Sequence, residues 1–402
     1  MRVLLSAYAC EPNKGSEPEV GWQRALHMLA LADEVWVLTR ANNRAVIDAN
    51  PLSRQPGLHF LYYDLPPWAL KLKQQSWFRF FYFILWQWGA YRLADGRHSE
   101  TPFDRVYHVT FAGMQAGSFM GRLGIPFVIG PIAGGERAPF RLRRSMPLRC
   151  RISEAARDLG IFIQRGSPLI RPAFAAAESI FVTSPESLKL VPRKWRGKTS
   201  VHLAIASNGR AVHQGERKPP AAPRFVFAGR LLHWKGAHFA IQALAEVRKV
   251  ITTATLAIVG SGPEEQWLRK IASKYGLSEA VDFAGQFPRQ KFIDSLGSYT
   301  AFIYPSLHDS GGFTVLEALL EGTPVVCLDL GGPGIMVNAS CGFVVPTKDA
   351  DEAQVVTRLA EAMISLGTMP KSAWQCLSSG AKARASELSW ASLTARVAHR
   401  ER

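Results

Sequence analysis

Short apolar runs alternate along this chain with stretches whose apolar positions recur at helical spacing. The runs at Val3–Tyr8, Glu34–Leu38, Leu58–Tyr62, Arg105–Val109, Pro126–Ile129, Ser179–Val182 and Val201–Ile205 predict strands. A second series follows at Arg224–Ala228, Thr255–Val259, Ala280–Phe283, Ala301–Tyr304 and Pro324–Cys327. Helical spacing marks Val20–Ala32 and Ala173–Ala177, and recurs near 236–249, 263–275, 313–321 and 350–366. Strands alternating with helices predict α/β architecture, with parallel sheets covered on both faces. Between the two series lie the turn signal Ser207-Asn208-Gly209 and the polar, Pro-rich stretch His213–Pro223. The expected organisation is therefore two doubly wound, Rossmann-like domains, 1–205 and 206–387. Ligands of such sheets bind outside the carboxyl ends of the strands, here in the cleft between the domains.

Composition adds little until charge is counted. The chain has 402 residues, 47% of them hydrophobic and 20% charged, which is ordinary for a folded domain pair and excludes a disordered tail or a fibre. No stretch approaches the ~20 uninterrupted apolar residues of a spanning helix. The net charge of +16 is lopsided: residues 1–205 hold 27 basic and 15 acidic side chains, the remainder 21 and 17. A basic half suits an anionic partner, whether phosphorylated ligand, lipid surface or nucleic acid. The five cysteines (10, 150, 327, 341 and 376) are odd in number and widely spaced, without C-x-x-C. They read as free thiols of a cytoplasmic protein, with no metal site. The opening MRVLLSAYAC reads as a first strand rather than a leader.

Three loops carry candidate chemistry. The loop from Glu11 to Pro18 follows the first strand, and its Gly15 could let backbone approach a phosphate. The loop from Gly229 to Gly236 brings Arg230, a planar fork, and Lys235, a point charge, to a strand's carboxyl end, a pair suited to a diphosphate. In the third, a strand ends at Tyr304 and Gly311-Gly312 opens a helix whose first N–H groups form an anion site. Asp309 precedes that helix and Glu317 lies within it; a carboxylate at Glu317 can accept two ribose hydroxyls. Capping accounts equally for Asp309, and a solvated face for Glu317. Glu317 and Glu321 are like charges at i,i+4, and a ligand for one of them would compensate the repulsion.

The order GRLLHWKG (229–236), VGSGPEEQWL (259–268), VDFAGQF (281–287) and YPSLHDSGGFTVLEALLEGTPVV (304–326) resembles the retaining glycosyltransferases of family 4, which have the GT-B fold. SAYACEPNKGSEPEVGW (6–22), FDRVYHVTFAG (103–113) and IPFVIGPIAGGE (125–136) resemble a bacterial subgroup of that family. The resemblance implies a nucleotide-sugar donor and a glycan or lipid-linked acceptor, in surface polysaccharide or glycolipid synthesis. Arg230 and Lys235 match the basic pair on the donor diphosphate. Glu317 matches the acid that holds the nucleotide ribose, and Asp309 the acid that contacts the sugar, with one methylene fewer than the family's Glu. Gly311, Gly312, Phe313 and Thr314 match the loop that reaches sugar and phosphate. Gly15 matches the loop facing the diphosphate from the other domain, and Phe283 to Phe287 lie where the base lodges. His108 matches a histidine near the transferred sugar, with a packed strand histidine as the alternative. The resemblance implies no cofactor and no metal, with charge stabilisation on the leaving diphosphate as the main catalytic device. It also implies that the segment 388–402 forms a helix crossing back onto the N-terminal domain.

Other motifs fail. Gly197-Lys198-Thr199 lacks the first P-loop glycine, since Pro192 stands there, and Glu265 replaces the last glycine of a dinucleotide fingerprint begun at Gly260. Asp349-Ala350-Asp351 imitates a metal-binding D-x-D but reads as a helix cap. Toward the acceptor, the aromatic run Trp77–Arg92 reads as a buried helix or an interfacial one. Arg141, Arg143, Arg144 and Arg149, within 137–151, could meet anionic headgroups on the inner face of the cytoplasmic membrane or an acceptor pyrophosphate. A nucleic-acid binder lacks a recognition motif here. A nucleotide-sugar epimerase or a phosphorylase would keep the fold and change the reaction.

Overall fold

A computed structural model describes residues 1–75, 78–164, 167–209, 215 and 217–399. The chain forms two compact units. The first comprises Met1–Gly135, Gly160–Ala204 and Trp390 onward; the second comprises Glu136–Leu159 and Ile205–Ser389. Residues 136–159, placed by sequence in the N-terminal domain, thus pack with the second unit. The C-terminal helix Trp390–His399 packs with the first, chiefly against the Ser16–Met28 helix. Trp77, 210–214, 216 and 400–402, which fall in segments singled out above, lie outside the described residues.

The first unit holds a seven-stranded parallel sheet in the order β3-β2-β1-β4-β5-β6-β7. Its strands are β1 Arg2–Ala7, β2 Glu34–Arg40, β3 Leu58–Tyr63, β4 Arg105–Thr110, β5 Phe127–Ile132, β6 Ser179–Val182 and β7 Thr199–Val201. The alternation of a strand's side chains explains why β1 is apolar on both faces. Val3, Leu5 and Ala7 join one core with Trp22 and Met28. Leu4 and Tyr8 join the opposite core with Trp86 and Phe127. The aromatic run becomes the helix Phe78–Glu100, which buries Tyr82, Phe83, Trp86 and Ala90 and leaves Phe81, Leu85 and Trp88 exposed. Among the described residues no helix is long and apolar enough to cross a membrane.

The second unit repeats the plan with six parallel strands in the order β10-β9-β8-β11-β12-β13. They are β8 Arg224–Ala228, β9 Thr255–Val259, β10 Val281–Gly285, β11 Ala301–Tyr304, β12 Val325–Leu328 and β13 Gly342–Val345. The sequence pattern misses β13, whose four residues offer no alternation to read, and sets β7 some residues late. Helices at Ala237–Val250, Glu265–Lys274, Phe313–Leu320 and Glu352–Thr368 follow the predicted spacing. The last opens on a capping box in which Asp351 Oδ1 accepts the Gln354 N–H at 2.9 Å and Gln354 Oε1 accepts the Asp351 N–H at 3.0 Å. Arg217, just before β8, is buried and donates to the carbonyls of Leu296, Gly297, Tyr299 and Glu321 and to the Thr323 hydroxyl. That one side chain fixes the linker's exit to the second unit.

Candidate functional site

In both sheets the strand order reverses at one point, between β1 and β4 and between β8 and β11. Loops leaving the carboxyl ends of strands diverge there and open a crevice. The candidate loops lie at these two points: 8–15 after β1, 229–236 after β8 and 305–312 after β11.

In the first unit, Gly15 caps the Ser16–Met28 helix at φ 68°, a left-handed conformation, and a Cβ there would meet nothing within 4 Å. The backbone is therefore open to a ligand, with helix N–H groups beyond it. The neighbouring loop after β4 is held by Glu17, whose Oε1 accepts the Phe111 N–H at 2.5 Å. Burial raises the Glu17 carboxyl above its ordinary pKa against that bond. His108 is not at this surface. It sits two residues short of the end of β4, opposite Ser6 of β1, fully buried, with Nδ1 sharing a hydrogen bond with Ser6 Oγ at 3.1 Å. Burial lowers its pKa to about 4, so the ring is neutral at physiological pH. Its place is that of a packed strand histidine.

In the second unit the two loops interlock. Gly236 has φ 78°, and a Cβ on it would lie 1.9 Å from the Pro305 carbonyl oxygen. Only glycine lets the β8 loop come this close to the β11 loop. The Leu307 N–H donates to the Trp234 carbonyl at 2.8 Å. Lys235 Nζ donates to the Tyr304 hydroxyl at 2.8 Å and pairs with Asp309 Oδ2. The Tyr304 hydroxyl donates to the same Oδ2 at 2.5 Å, and the Gly311 N–H reaches Oδ1 at 3.2 Å. Burial pushes the Asp309 carboxyl up, but the Lys235 charge and these donors outweigh it, and it titrates below the ordinary range. Burial, and then the Asp309 charge, push the Tyr304 phenol far up, so it remains a donor. Asp309 is therefore anchored to the loop next to Lys235, rather than capping the helix.

Gly312, at φ 111°, is the N-cap of the Phe313–Leu320 helix and offers no side-chain cap to its first N–H groups. Phe313 and Thr314 begin that helix half-buried. One turn on, Glu317 pairs with Arg289 at 2.6 Å; burial nevertheless raises its carboxyl pKa. Glu317 has Arg289 as its counter-charge, while Glu321, the residue after the helix, is buried. Arg230 is exposed, and its guanidinium makes no hydrogen bond or ion pair with a described residue. Phe287 stands at the exposed loop end after β10, beneath Lys291. Phe283 is within β10, under the guanidinium of Arg269 at 4.3 Å, and so is not brought to the loop end.

Three features escaped sequence reasoning. The Gly332 N–H donates to the Asp309 carbonyl at 2.8 Å, so the loop after β12 props the candidate acid. The segment 136–159 is not a free basic loop: Arg143 pairs with Asp158, Arg149 with Glu264, and Arg141 donates to the Asp349 carbonyl. That segment also delivers Glu154 beneath the two loops, where it binds His233 and His308. No motif flags it, because its partners lie far away in sequence. For metal-ligand chemistry, Cys150, His233 and Glu264 bring donor atoms within 4.8 Å of one another, all buried. Their demands are already met, since Glu264 holds Arg149 and the Cys150 thiol, and His233 holds Glu154. All five cysteines are free.

Residues 210–372, containing every second-unit loop described above, match the model of the glycosyl transferases group 1. This part of the chain belongs to that family. Two curated relatives match over part of their length. A glycogen synthase of Mycobacterium tuberculosis is 31% identical over 186 residues, 45% of this chain and 44% of its own. The lipopolysaccharide core biosynthesis glycosyltransferase LpsE of Rhizobium meliloti is 32% identical over 162 residues, 39% of this chain and 46% of its own. The chain thus matches less than half the length of these relatives. Among solved structures, the galactosyltransferase WaaB superposes with a TM-score of 0.63 at 11% identity, over 99% of this chain and 98% of its own. Anabaena HepE, with UDP and glucose, gives 0.58 at 16% over 100% and 99%. The fold is GT-B, with both group 1 and N-terminal units accounted for.

Proposed function

We propose that this chain transfers a glycosyl group from a nucleotide-sugar donor to a glycan or lipid-linked acceptor in bacterial surface polysaccharide or glycolipid synthesis. The observation that carries this reading is the convergence, at the β8/β11 reversal of a group 1 domain, of Lys235, Asp309 and an uncapped helix start at Gly312. A diphosphate there would meet Lys235, the free guanidinium of Arg230 and the first N–H groups of the Phe313–Leu320 helix. Glu317 would take the ribose hydroxyls, with Phe287 beside the base.

The reading is of a retaining, metal-independent reaction. The anomeric carbon–oxygen bond to the diphosphate breaks, and the acceptor oxygen bonds the same carbon on the same face. The acceptor proton passes to the departing diphosphate. The cations and helix start would stabilise the charge that develops on that leaving group. His108 has no part in this scheme, because its ring is closed off within the sheet.

For the acceptor, an anionic membrane surface remains our candidate. Phe140, Leu148 and Ile152 are exposed beside Arg144 and Arg151 around a recess of about 920 Å³. Flotation with anionic vesicles tests it, and no binding at low salt refutes it. The donor is tested by calorimetry against UDP-, GDP-, ADP- and TDP-sugars, UDP-glucose first because HepE holds UDP and glucose. Saturable binding of one class, lost in Glu317→Ala, supports the reading; product analysis then separates transfer from epimerisation. No binding of any class, with the acceptor present, refutes it.

A further inference from the structure

We propose that Glu154 is a positioning residue that holds the Lys235 loop and the Asp309 loop in register; the inference rests on the donor-site reading above. A single oxygen of Glu154, Oε1, accepts the Nε2–H of His233 at 2.9 Å and the Nε2–H of His308 at 3.0 Å. His233 lies two residues before Lys235, and His308 immediately before Asp309. Trp234 fills the space between, stacked on His308 at 5.1 Å and edge-on to His233 at 4.8 Å. Glu154 is 2% exposed, His233 5% and His308 8%. The carboxylate is thus shared between the two loops that leave the paired strands β8 and β11.

Two further observations separate this from ordinary packing. The second oxygen of Glu154, Oε2, is buried and takes no hydrogen bond. A carboxylate held only for stability would be expected to satisfy both oxygens, or to be replaced by an apolar side chain, since a buried charge is costly. Glu154 also arrives on a separately anchored element. Its helix, Leu148–Gln164, is fixed by the Arg149–Glu264 pair, and the preceding Ser145 N–H donates to the Glu352 carboxylate at 2.8 Å. The bridge is therefore referenced to a rigid frame. It sets the spacing on which the Lys235–Asp309 contact depends, and a shift of about 1 Å in such a site costs on the order of a hundredfold.

The test compares calorimetric affinity for UDP, GDP, ADP and TDP in wild type, Glu154→Gln, Glu154→Leu, Lys235→Ala and the Glu154→Leu/Lys235→Ala double variant, each checked for folding by circular dichroism. For the nucleotide the wild type binds, Lys235→Ala is expected to lose about a hundredfold. Glu154→Leu, which strands two buried N–H donors, is expected to approach that loss. Glu154→Gln, which keeps a neutral acceptor, is expected to lose about tenfold, as a charge-assisted bond is roughly twice as strong as a neutral one. The double variant is expected to bind no worse than Lys235→Ala alone, a non-additivity that a merely structural role would not produce. Additive losses, or binding by folded Glu154 variants within twofold of wild type, overturn the inference and leave the site reading intact. Should Glu154→Leu not fold, Glu154→Gln decides by the same twofold criterion. Unchanged binding by Lys235→Ala overturns the site reading itself, and the inference with it.

Discussion

Replacing Lys235 by Met removes the cation that holds Asp309 ionised. At contact, about 3 Å, two unit charges in an effective dielectric of about 20 attract by roughly 5 kcal/mol. Here the side chains are 20% and 17% exposed, so solvent screens part of that. Removing one partner also leaves the other carrying a desolvation cost. We expect Lys235→Met to destabilise the second unit by about 2–3 kcal/mol at pH 7. A Lys235→Met/Asp309→Asn double variant should recover about 2 kcal/mol of that loss. The pH dependence has a definite sign. The folded pKa of Asp309 is below 3.8, so its stabilisation is complete above the unfolded value and lost as pH falls through the folded one. The gap between wild type and Lys235→Met should therefore be constant from pH 6 to 8 and close only as pH falls through the folded pKa of Asp309, below 3.8. Urea unfolding of the four proteins of the cycle at several pH values measures all of this. A coupling energy under about 0.5 kcal/mol, or a gap that does not change as pH falls from 7 to 2, would show that the pair contributes no more than an exposed salt bridge.

Other substitutions test the remaining contacts. Burial raises the Glu317 pKa, so the folded state favours its neutral form, and the cost sets in as pH rises through 4.5. Glu317→Gln should then match or exceed wild type in thermal stability at pH 7.5, lose that advantage below pH 4, and bind nucleotide at least tenfold more weakly; a large loss of stability at pH 7.5 contradicts the assignment. Arg230→Ala should change the unfolding free energy by no more than about 0.5 kcal/mol, because the side chain is exposed and pairs with no described residue, yet weaken nucleotide binding about tenfold with a shallower salt dependence. Gly236→Ala, with its Cβ 1.9 Å from the Pro305 carbonyl at positive φ, should cost more than 2 kcal/mol and abolish nucleotide binding; a wild-type melting curve would show that the loops are not locked there. Arg217→Met removes a buried donor shared by five acceptors and should cost about 3 kcal/mol in urea unfolding.

Much of the molecule was readable from local pattern. Twelve apolar runs anticipate twelve of the thirteen strands, because a strand buried on both faces must be apolar along its whole length, and such runs stand out between helical stretches. The loop residues Arg230, Lys235, Asp309, Gly312 and Glu317 were legible because strand–loop–helix junctions carry glycine and charge at set offsets. Their position at the reversal of strand order was not, since that order depends on which edge each new strand joins. Four residues long and carrying glycine, β13 has no pattern of its own and forms only because β12 offers it an edge. The histidine at 108 shows the limit in the other direction: sequence places it near a strand's end, while exposure is decided by the neighbouring strands that cover it. The arginines of 137–151 show it again. As a run they suggest a solvated patch, but Asp158, Glu264 and the Asp349 carbonyl, from elsewhere in the chain, engage three of them.

By itself, then, the sequence determined the two-unit α/β plan and the chemistry of the loops, because helix period, strand alternation and turn residues act over a few positions. Tertiary structure alone decided the partner of each charge. Asp309 became an anchored carboxylate through Lys235 and Tyr304, and Glu154 became the tie between two loops through His233 and His308, 79 and 154 residues away. Such partners are chosen by burial, where an unpaired charge is too costly to keep, and burial is a property of the assembled chain.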